Sequence, residues 1–259
     1  MTLTSDAALL YLWDRRTLYL GPLAESLEVT QAAATLVLGI DQDFALEVAG
    51  ELICCRSALL PAGSSVRLQV PKTRLAVCYL DPFGEDFRKL CGQMNAQHGG
   101  VYLQLEQELS WIARLLELLH TEASPVQAYA LLEQLVGPDA ADASVLKVDP
   151  RILVVVELIK RDVADNLSAQ YLAAQVSLSE PRLLQLFKET IGVPIRRYRQ
   201  WHRLFVTAAG VTQGLSLTAA ALEAGFADSA HFSHTFHSIL GMKPSAILSP
   251  RLKIRMHHA

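Results

Sequence analysis

The last third of the chain carries the same local pattern twice. Residues 183–192 and 232–241 each place a phenylalanine five residues before a glycine, and a proline follows each glycine within three residues. A small apolar segment that suits a short helix precedes each copy, at 167–176 and 215–224. Because glycine ends a helix and proline opens the next segment, this pattern predicts two helix-turn-helix units in series. Such units place one helix in the major groove of DNA.

Local signals set the expected helix bounds in this region. Ser179 and Asp228 are suitable N-caps for the two predicted reading helices, which extend to Thr190 and Leu240. A connecting helix over 195–211 would be about 25 Å long at ~1.5 Å per residue. Together with the widths of the reading helices, that length suits two major grooves about one DNA turn, ~34 Å, apart.

The outward faces of the predicted helices carry groups that suit DNA. Arg182 and Gln185 can form paired hydrogen bonds with guanine or adenine, and Lys188 suits a phosphate. The outward residues of the second reading helix are Ser229, Ala230, His231, His234 and His237. Arginines on the connecting helix are predicted to contact backbone phosphates, which adds affinity without sequence reading. These are Arg196, Arg197, Arg199 and Arg203.

The charge distribution agrees with a DNA partner for one half of the chain. Residues 148–259 hold 13 Lys and Arg against 8 Asp and Glu, whereas residues 1–147 hold 10 against 18. No apolar run approaches the ~18 residues of a membrane span, and the first residues lack the basic segment of a secretory signal. The four cysteines have no regular spacing. We therefore expect a cytoplasmic protein with reduced thiols and no membrane partner.

The first half of the chain has a different periodicity. Residues 7–80 alternate short apolar runs with turn residues, which predicts five or six strands in a β-sandwich or barrel. Residues 102–119 place apolar side chains at alternating steps of three and four, which predicts one helix with a seam for a second copy. Packing within the domain alone is the alternative for this seam. The seam residues are Tyr102, Leu105, Leu109, Ile112, Leu116 and Leu119.

The C-terminal ~110 residues resemble the AraC/XylS family of bacterial transcription regulators. The first unit is matched by Leu172-Ala173, Ser179, Leu183, Phe187-Lys188 and Gly192, and the connecting helix by Tyr198, Arg203-Leu204 and Ala208. The second unit is matched by Ala220-Ala221, Gly225-Phe226, Asp228-Ser229, Phe232, Phe236, Gly241 and Pro244. The resemblance implies a seven-helix, two-unit domain that binds double-stranded DNA and controls transcription, often by contacting RNA polymerase.

The resemblance also implies which positions read bases. In the first unit they are Pro181, Arg182, Leu184 and Gln185, and in the second unit they are Ser229, Ala230 and His234. Leu184 and Ala230 cannot form hydrogen bonds with bases. The family usually has a basic residue at the positions of His234 and His237. The second unit is therefore expected to bind weakly, to contact mainly phosphate, or to gain affinity when histidine is protonated.

The N-terminal ~95 residues resemble, through segments 16–22 and 59–63, the cupin-like sensor domain of many such regulators. This implies a jelly-roll barrel that binds a small-molecule effector, followed by helices that form a homodimer. The predicted fold class is α+β multidomain, with an N-terminal cupin-like β-barrel, a helical dimerisation segment and a C-terminal all-α double helix-turn-helix domain. The predicted ranges are 1–95 for the barrel, 96–136 for the helices, 137–148 for a linker and 149–259 for the DNA-binding domain.

Catalytic chemistry has little support in the sequence. The first histidine, His98, follows the predicted barrel, so no metal and no other cofactor is expected. No Gly-rich phosphate loop, nucleophile elbow or carboxylate pair is present, so no catalytic residue is predicted. The predicted function is a DNA-binding transcription regulator, with activation or repression left open. The alternatives are a metal-free cupin-like small-molecule enzyme and a partner-binding adaptor.

Overall fold

The computed structural model describes residues 8–240 except 14, 24–25, 71–72, 81–82 and 138–147, together with 244 and 252–256. The chain divides into two compact units. Residues 1–140 and 237–259 form the first, here called the sheet unit, and residues 141–236 form the second, here called the helical unit. The predicted linker lies almost entirely outside the described residues.

No helix among the described residues combines the length and apolar character needed to cross a membrane.

The sheet unit contains two β-sheets. The strands are β1 Ala8–Leu12, β2 Thr17–Leu23, β3 Leu27–Thr30, β4 Thr35–Gly39, β5 Phe44–Val48, β6 Glu51–Cys55, β7 Ser57–Leu60, β8 Ser65–Gln69, β9 Thr73–Tyr79, β10 Met94–His98, β11 Val101–Leu105 and β12 Leu252–Met256. The large sheet has the order β10-β11-β7-β4-β9-β2-β1-β12, and the small sheet has the order β3-β8-β5-β6. This arrangement confirms a sheet-rich N-terminal region.

Alternating side chains and short turns explain the local strand pairing. In β5, Phe44, Leu46 and Val48 are buried, while the residues between them are partly exposed. Ala49 and Gly50 join β5 to β6 with φ of 52° and 83°, the left-handed conformation of a two-residue hairpin turn. The pairing therefore follows from residues that are close in sequence.

Among its described residues, the sheet unit also includes three complete helices: α1 Glu85–Cys91, α2 Glu108–Thr121 and α3 Pro125–Val136. Leucines of α2 and α3, among them Leu115 and Leu132, share one hydrophobic core with the inner face of the large sheet. Ser124 and Gln127 form a capping box at the start of α3.

A buried arginine connects the sheet to two of these helices. Arg16, which is 8% exposed, donates from Nε and Nη2 to the two carboxylate oxygens of Asp86 in α1, at 2.5 and 2.6 Å. Its Nη1 donates to Glu133 of α3, and its guanidinium lies 5.4 Å from the ring centre of Tyr129. A buried charge of this kind needs its partners, because desolvation without them costs several kcal/mol.

The predicted single helix over 102–119 is wrong in its first part. Tyr102 and Leu105 lie in β11, which forms a hairpin with β10 around Gly99 and Gly100. Both glycines have positive φ, 55° and 83°, as a two-residue hairpin turn requires. The helix begins only at Glu108.

The predicted seam is therefore largely internal. Leu105, Ile112 and Leu119 are buried in the core of the sheet unit. Tyr102 is half-buried, with its ring edge-on to Phe87 at 5.7 Å. Leu109 is 72% exposed and Leu116 is half-buried, so these two of the six seam residues keep accessible surface.

The described part of the helical region contains α4 Pro150–Arg161, α5 Ala169–Gln175, α6 Glu180–Ile191, α7 Ile195–Thr212, α8 Leu217–Glu223 and α9 Ser229–Leu240. Ser168 and Asp228 accept hydrogen bonds from backbone N–H groups one turn later, at 3.0 and 2.7 Å, as N-caps do. Gly192 ends α6 with φ of 85°. The predicted helix-turn-helix elements are confirmed. The described residues contain six of the seven helices that the resemblance implies, and between α9 and β12 they include Pro244 alone.

A further strand, β12, lies beyond the helices and was not predicted from the sequence. Residues of β12 pair in parallel with β1, from Ala8 opposite Leu252 to Leu12 opposite Met256. The other described strand pairs are antiparallel. The sheet unit therefore includes chain that follows the helical unit in sequence.

Candidate nucleic-acid interface

The first predicted reading helix, α6, has one apolar and one exposed face. Leu183, Phe187 and Ile191 recur at four-residue intervals and are buried. The ring of Phe187 packs edge-on against Tyr198 of α7, with ring centres 5.7 Å apart. This packing fixes the orientation of α6 and leaves its opposite face accessible to solvent.

The exposed face of α6 contains every residue that was predicted there. They are Pro181, Arg182, Leu184, Gln185 and Lys188. Nε2 of Gln185 donates to Oε1 of Glu189 at 2.8 Å, and Nη1 of Arg182 lies 3.9 Å from the other carboxylate oxygen. Glu189 therefore positions two predicted base-reading side chains. Its spacing of four residues from Gln185 could have identified it from the sequence.

The arginines of the connecting helix α7 differ in accessibility. Arg196 is exposed, whereas Arg197 is half-buried, and burial lowers the pKa of its guanidinium. Arg199 donates to the carbonyl of Leu167 at 2.8 Å and also contacts Asn166 at 3.4 Å. Arg196 thus has the accessibility that a phosphate contact requires.

Arg203 occupies a different position from the one predicted. It is 5% exposed, and its guanidinium donates to the carbonyls of Val163 and Ala164 at 3.0 and 3.1 Å. Burial lowers the pKa of this group. The prediction that Arg203 contacts phosphate does not agree with this placement, because its donors already hold the loop between α4 and α5.

Gly225 brings the turn of the second unit against the same loop. Its φ is 88°, and a Cβ at this position would lie 2.7 Å from Cα of Ala164 and 3.0 Å from Nη2 of Arg203. Only glycine fits such a close approach in the left-handed region. Arg203 and Gly225 thus join the second helix-turn-helix unit to the start of the first.

The second predicted reading helix, α9, also presents the expected residues. Phe226, Phe232 and Phe236 are buried and form consecutive ring contacts, with centres 5.4 and 5.6 Å apart. The five predicted positions on the other face are all exposed: Ser229, Ala230, His231, His234 and His237. The sequence of α9 contains no lysine or arginine. The second unit therefore presents hydroxyl, methyl and imidazole groups instead of fixed positive charge.

The described part of the chain contains no group of three or more His, Cys, Asp and Glu side chains that could hold a metal ion.

Comparisons with known proteins agree with this geometry. Residues 172–249 match the family model described as "Helix-turn-helix domain". This segment includes the reading helices α6 and α9 of the two helix-turn-helix units. A comparison with curated proteins finds no match. Solved structures of ToxT from Vibrio cholerae have a similar fold. An apo variant is 15% identical with a TM-score of 0.61, covering 89% of this chain and 96% of that chain.

Two ligand-bound ToxT structures are similar over the same extent. The form bound to an unsaturated fatty acid is 16% identical with a TM-score of 0.54, covering 90% of this chain and 94% of that chain. The form bound to (E)-4-(8-methylnaphthalen-1-yl)but-3-enoic acid is 14% identical with a TM-score of 0.57, covering 90% of this chain and 97% of that chain. At these identities the likeness shows the fold.

The chain therefore contains a helix-turn-helix domain, and its fold combines a sheet-rich first region with a helical second region, as in ToxT. The predicted resemblance is confirmed, because the matched helix-turn-helix domain is of the AraC type and 89% of this chain has a fold similar to that of ToxT.

Proposed function

We propose that this protein regulates transcription by binding a specific DNA sequence through α6 and α9, under the control of a small molecule bound by the sheet unit. One observation carries the proposal. A single helix-turn-helix family match covers both α6 and α9, and each of these helices exposes the face opposite its buried apolar residues. An exposed helix face opposite a buried aromatic seam is what insertion into a major groove requires.

The proposed interface keeps all but two of the predicted residues. It consists of Pro181, Arg182, Leu184, Gln185, Lys188, Arg196, Arg197, Ser229, Ala230, His231, His234 and His237. Arg199 and Arg203 are left out because their guanidinium groups donate to backbone carbonyls within the helical unit. Most of the fixed positive charge lies on α6 and α7, so we propose that the first unit provides more of the affinity and the second unit more of the orientation.

Selection of genomic DNA fragments by the purified full chain tests the proposal. We expect enrichment of one sequence motif, with two half-sites about ten base pairs apart on one face of the duplex. Gln185→Ala should relax the preference at one position, at a cost of about 1–3 kcal/mol. Enrichment no greater than that of a random library would contradict the proposed function.

We propose that the effector is an apolar molecule with a hydrogen-bond acceptor. Trp13 supports this, because its buried indole N–H has no hydrogen-bond partner in the described part of the chain. A buried donor without an acceptor costs about 1–3 kcal/mol, which an acceptor atom of a ligand would offset. The two ligands named for ToxT are apolar carboxylic acids, which fit this description.

Thermal unfolding in the presence of an unsaturated fatty acid tests the effector proposal, with the alkene of equal chain length, which has no hydrogen-bond acceptor, as the matched control. An effector should raise the unfolding temperature and change the DNA affinity of the full chain. We expect Trp13→Phe to reduce the rise in unfolding temperature caused by the acid. Phenylalanine keeps an aromatic ring but lacks the indole N–H donor. If no apolar acceptor in a broad library changes either quantity, regulation by this route is contradicted.

We also propose that the protein forms a homodimer through the exposed strip of α2, which contains Leu109, Ala113 and Leu116. These residues are spaced so that they share one face of the helix. Sedimentation of Leu109→Glu should show monomers at concentrations where the parent chain is dimeric. Leu52→Glu is the control, because Leu52 is 60% exposed but lies in β6. Equal dimerisation of both variants would refute the interface.

The remaining parts of the proposal concern how binding is converted into regulation. We propose that the segment 137–148 is a linker. We also propose that effector binding changes the distance between the DNA-binding domains of the two protomers in the dimer. We further propose that the protein contacts RNA polymerase and acts in the cytoplasm. Transcription in vitro from a selected site, with purified polymerase, measures the sign of regulation directly.

A further inference from the structure

The exposed face of α6 contains one large apolar side chain, Leu184. It is 41% exposed, although the helix buries its other leucine and phenylalanine side chains wholly or partly. Its neighbours one turn before and one turn after on the same face are Pro181 and Lys188, and Gln185 follows it directly. The leucine therefore lies among the side chains proposed to read base edges, and this inference rests on that proposed function.

The net charge of this face does not by itself explain DNA affinity. Two basic residues, Arg182 and Lys188, are balanced by Glu180 and Glu189. Glu189 also holds Arg182 and the amide of Gln185, at 3.9 and 2.8 Å. Reading by α6 must therefore depend strongly on the shape and chemistry of individual side chains.

A leucine side chain has one chemical counterpart on the base edges of the major groove. Each base presents hydrogen-bond donors and acceptors there, and only thymine adds an apolar group, the C5-methyl. An apolar side chain placed against any other base edge removes water from polar atoms without replacing their hydrogen bonds. We propose that Leu184 selects a thymine in the half-site of the first unit by contact with its C5-methyl group.

The adjacent glutamine extends the same reading. An amide side chain suits adenine, which offers an acceptor and a donor in the major groove. One donor of the Gln185 amide is occupied by Glu189, and its oxygen and second N–H remain for a base. Leu184 and Gln185 together favour a half-site rich in A·T pairs.

Replacing thymine by uracil removes the methyl group and leaves every hydrogen-bonding atom in place. The experiment uses the full chain and the duplex obtained by DNA selection, with one thymine at a time replaced by deoxyuridine. We expect one position at which affinity falls about fourfold, the factor for one buried methyl group. In Leu184→Ala the penalty at that position should disappear, while other positions keep their effects.

Leu222→Ala is the matched control, because Leu222 is 50% exposed but lies on α8, which is not a reading helix. This variant should keep the full uracil penalty. The inference is overturned if no thymine shows a penalty, or if the penalty persists in Leu184→Ala. Either result would leave specific DNA binding intact and would overturn the thymine contact alone. If no DNA sequence is selected at all, the proposed function fails, and the inference that rests on it fails too.

Discussion

Replacing Arg203 by alanine should destabilise the helical unit instead of weakening a DNA contact. The side chain holds the carbonyls of Val163 and Ala164 with hydrogen bonds of 3.0 and 3.1 Å, and its Nη2 lies 3.4 Å from Oδ1 of Asn166. Alanine would remove all three interactions and leave a cavity beside Gly225. The loop between α4 and α5 would then lose its attachment to α7.

The magnitude follows from the two shorter bonds. A hydrogen bond from a charged donor contributes about 1.5–3 kcal/mol, so two give at most about 3–6 kcal/mol. Val163 is half-buried and Ala164 is exposed, so water replaces part of what is lost. We expect a loss of about 2–3 kcal/mol in the free energy of unfolding of the helical unit, which corresponds to a factor of about 30 to 150 in the unfolding equilibrium.

Hydrogen-exchange mass spectrometry of the full chain measures this effect locally. Peptides from α4 to α8 should exchange faster by that factor, while peptides from the sheet unit provide the internal reference. The dependence of DNA affinity on salt should keep its slope in Arg203→Ala. In Arg196→Ala, exchange should be unchanged and the slope should fall by about 0.9. The reverse result, with unchanged exchange and a smaller slope in Arg203→Ala, would refute this reasoning.

Three further predictions concern stability. Gly225→Ala should destabilise the helical unit by about 2–4 kcal/mol, because this position combines a positive φ with a close approach to Ala164. Gly214→Ala is the control and should cost about 1–2 kcal/mol in the same unfolding assay, because Gly214 has a φ of 94° with open space around it. Arg16→Ala should destabilise the sheet unit by about 3–5 kcal/mol in urea unfolding, because Asp86 would stay buried without its partner. The exposed pair of Arg15 with Glu85 is the control, and a loss above about 1 kcal/mol in Arg15→Ala would count against the role of burial. Hydrogen bonds from Arg74 lower the pKa of Asp41 from 3.8, so this carboxylate stabilises the fold above that pH, and the contribution is lost as the pH falls through the lowered value. Unfolding curves at decreasing pH should show a shallower acid loss for Asp41→Asn, and identical slopes for both proteins would contradict the coupling.

Local signals allowed the helical unit to be predicted from the sequence. Its caps, turn glycines and buried phenylalanines all act within one or two turns of the residue concerned, so reading them needs no knowledge of the tertiary structure. The hairpin of β10 and β11 had a local signal as well, the Gly99-Gly100 pair between alternating apolar residues. Because apolar residues recur at steps of three and four throughout 102–119, the whole segment was predicted to be one helix, although residues 102–105 belong to β11.

Contacts that are distant in sequence were not predictable in this way. The burial of Arg203 depends on the loop between α4 and α5, whose Asn166 lies 37 residues earlier in the chain, and its charge alone suggested a phosphate partner. Arg16 likewise has partners 70 and 117 residues away. Of the candidate interface, the exposed side chains of α6 and α9 followed from helical periodicity, while the arginines of α7 required the packing to separate accessible from buried guanidinium groups.

The parallel pairing of β12 with β1 affects how the protein is made. The first strand of the large sheet leaves the ribosome early, and its outer partner is synthesised about 240 residues later. At translation rates of about 5–20 residues per second, the backbone N–H and C=O groups of β1 that pair with β12 remain unpaired for roughly 12 to 48 seconds. During that interval the nascent chain has an open edge on which another strand can form hydrogen bonds, so this edge needs protection from misassembly until β12 has been synthesised.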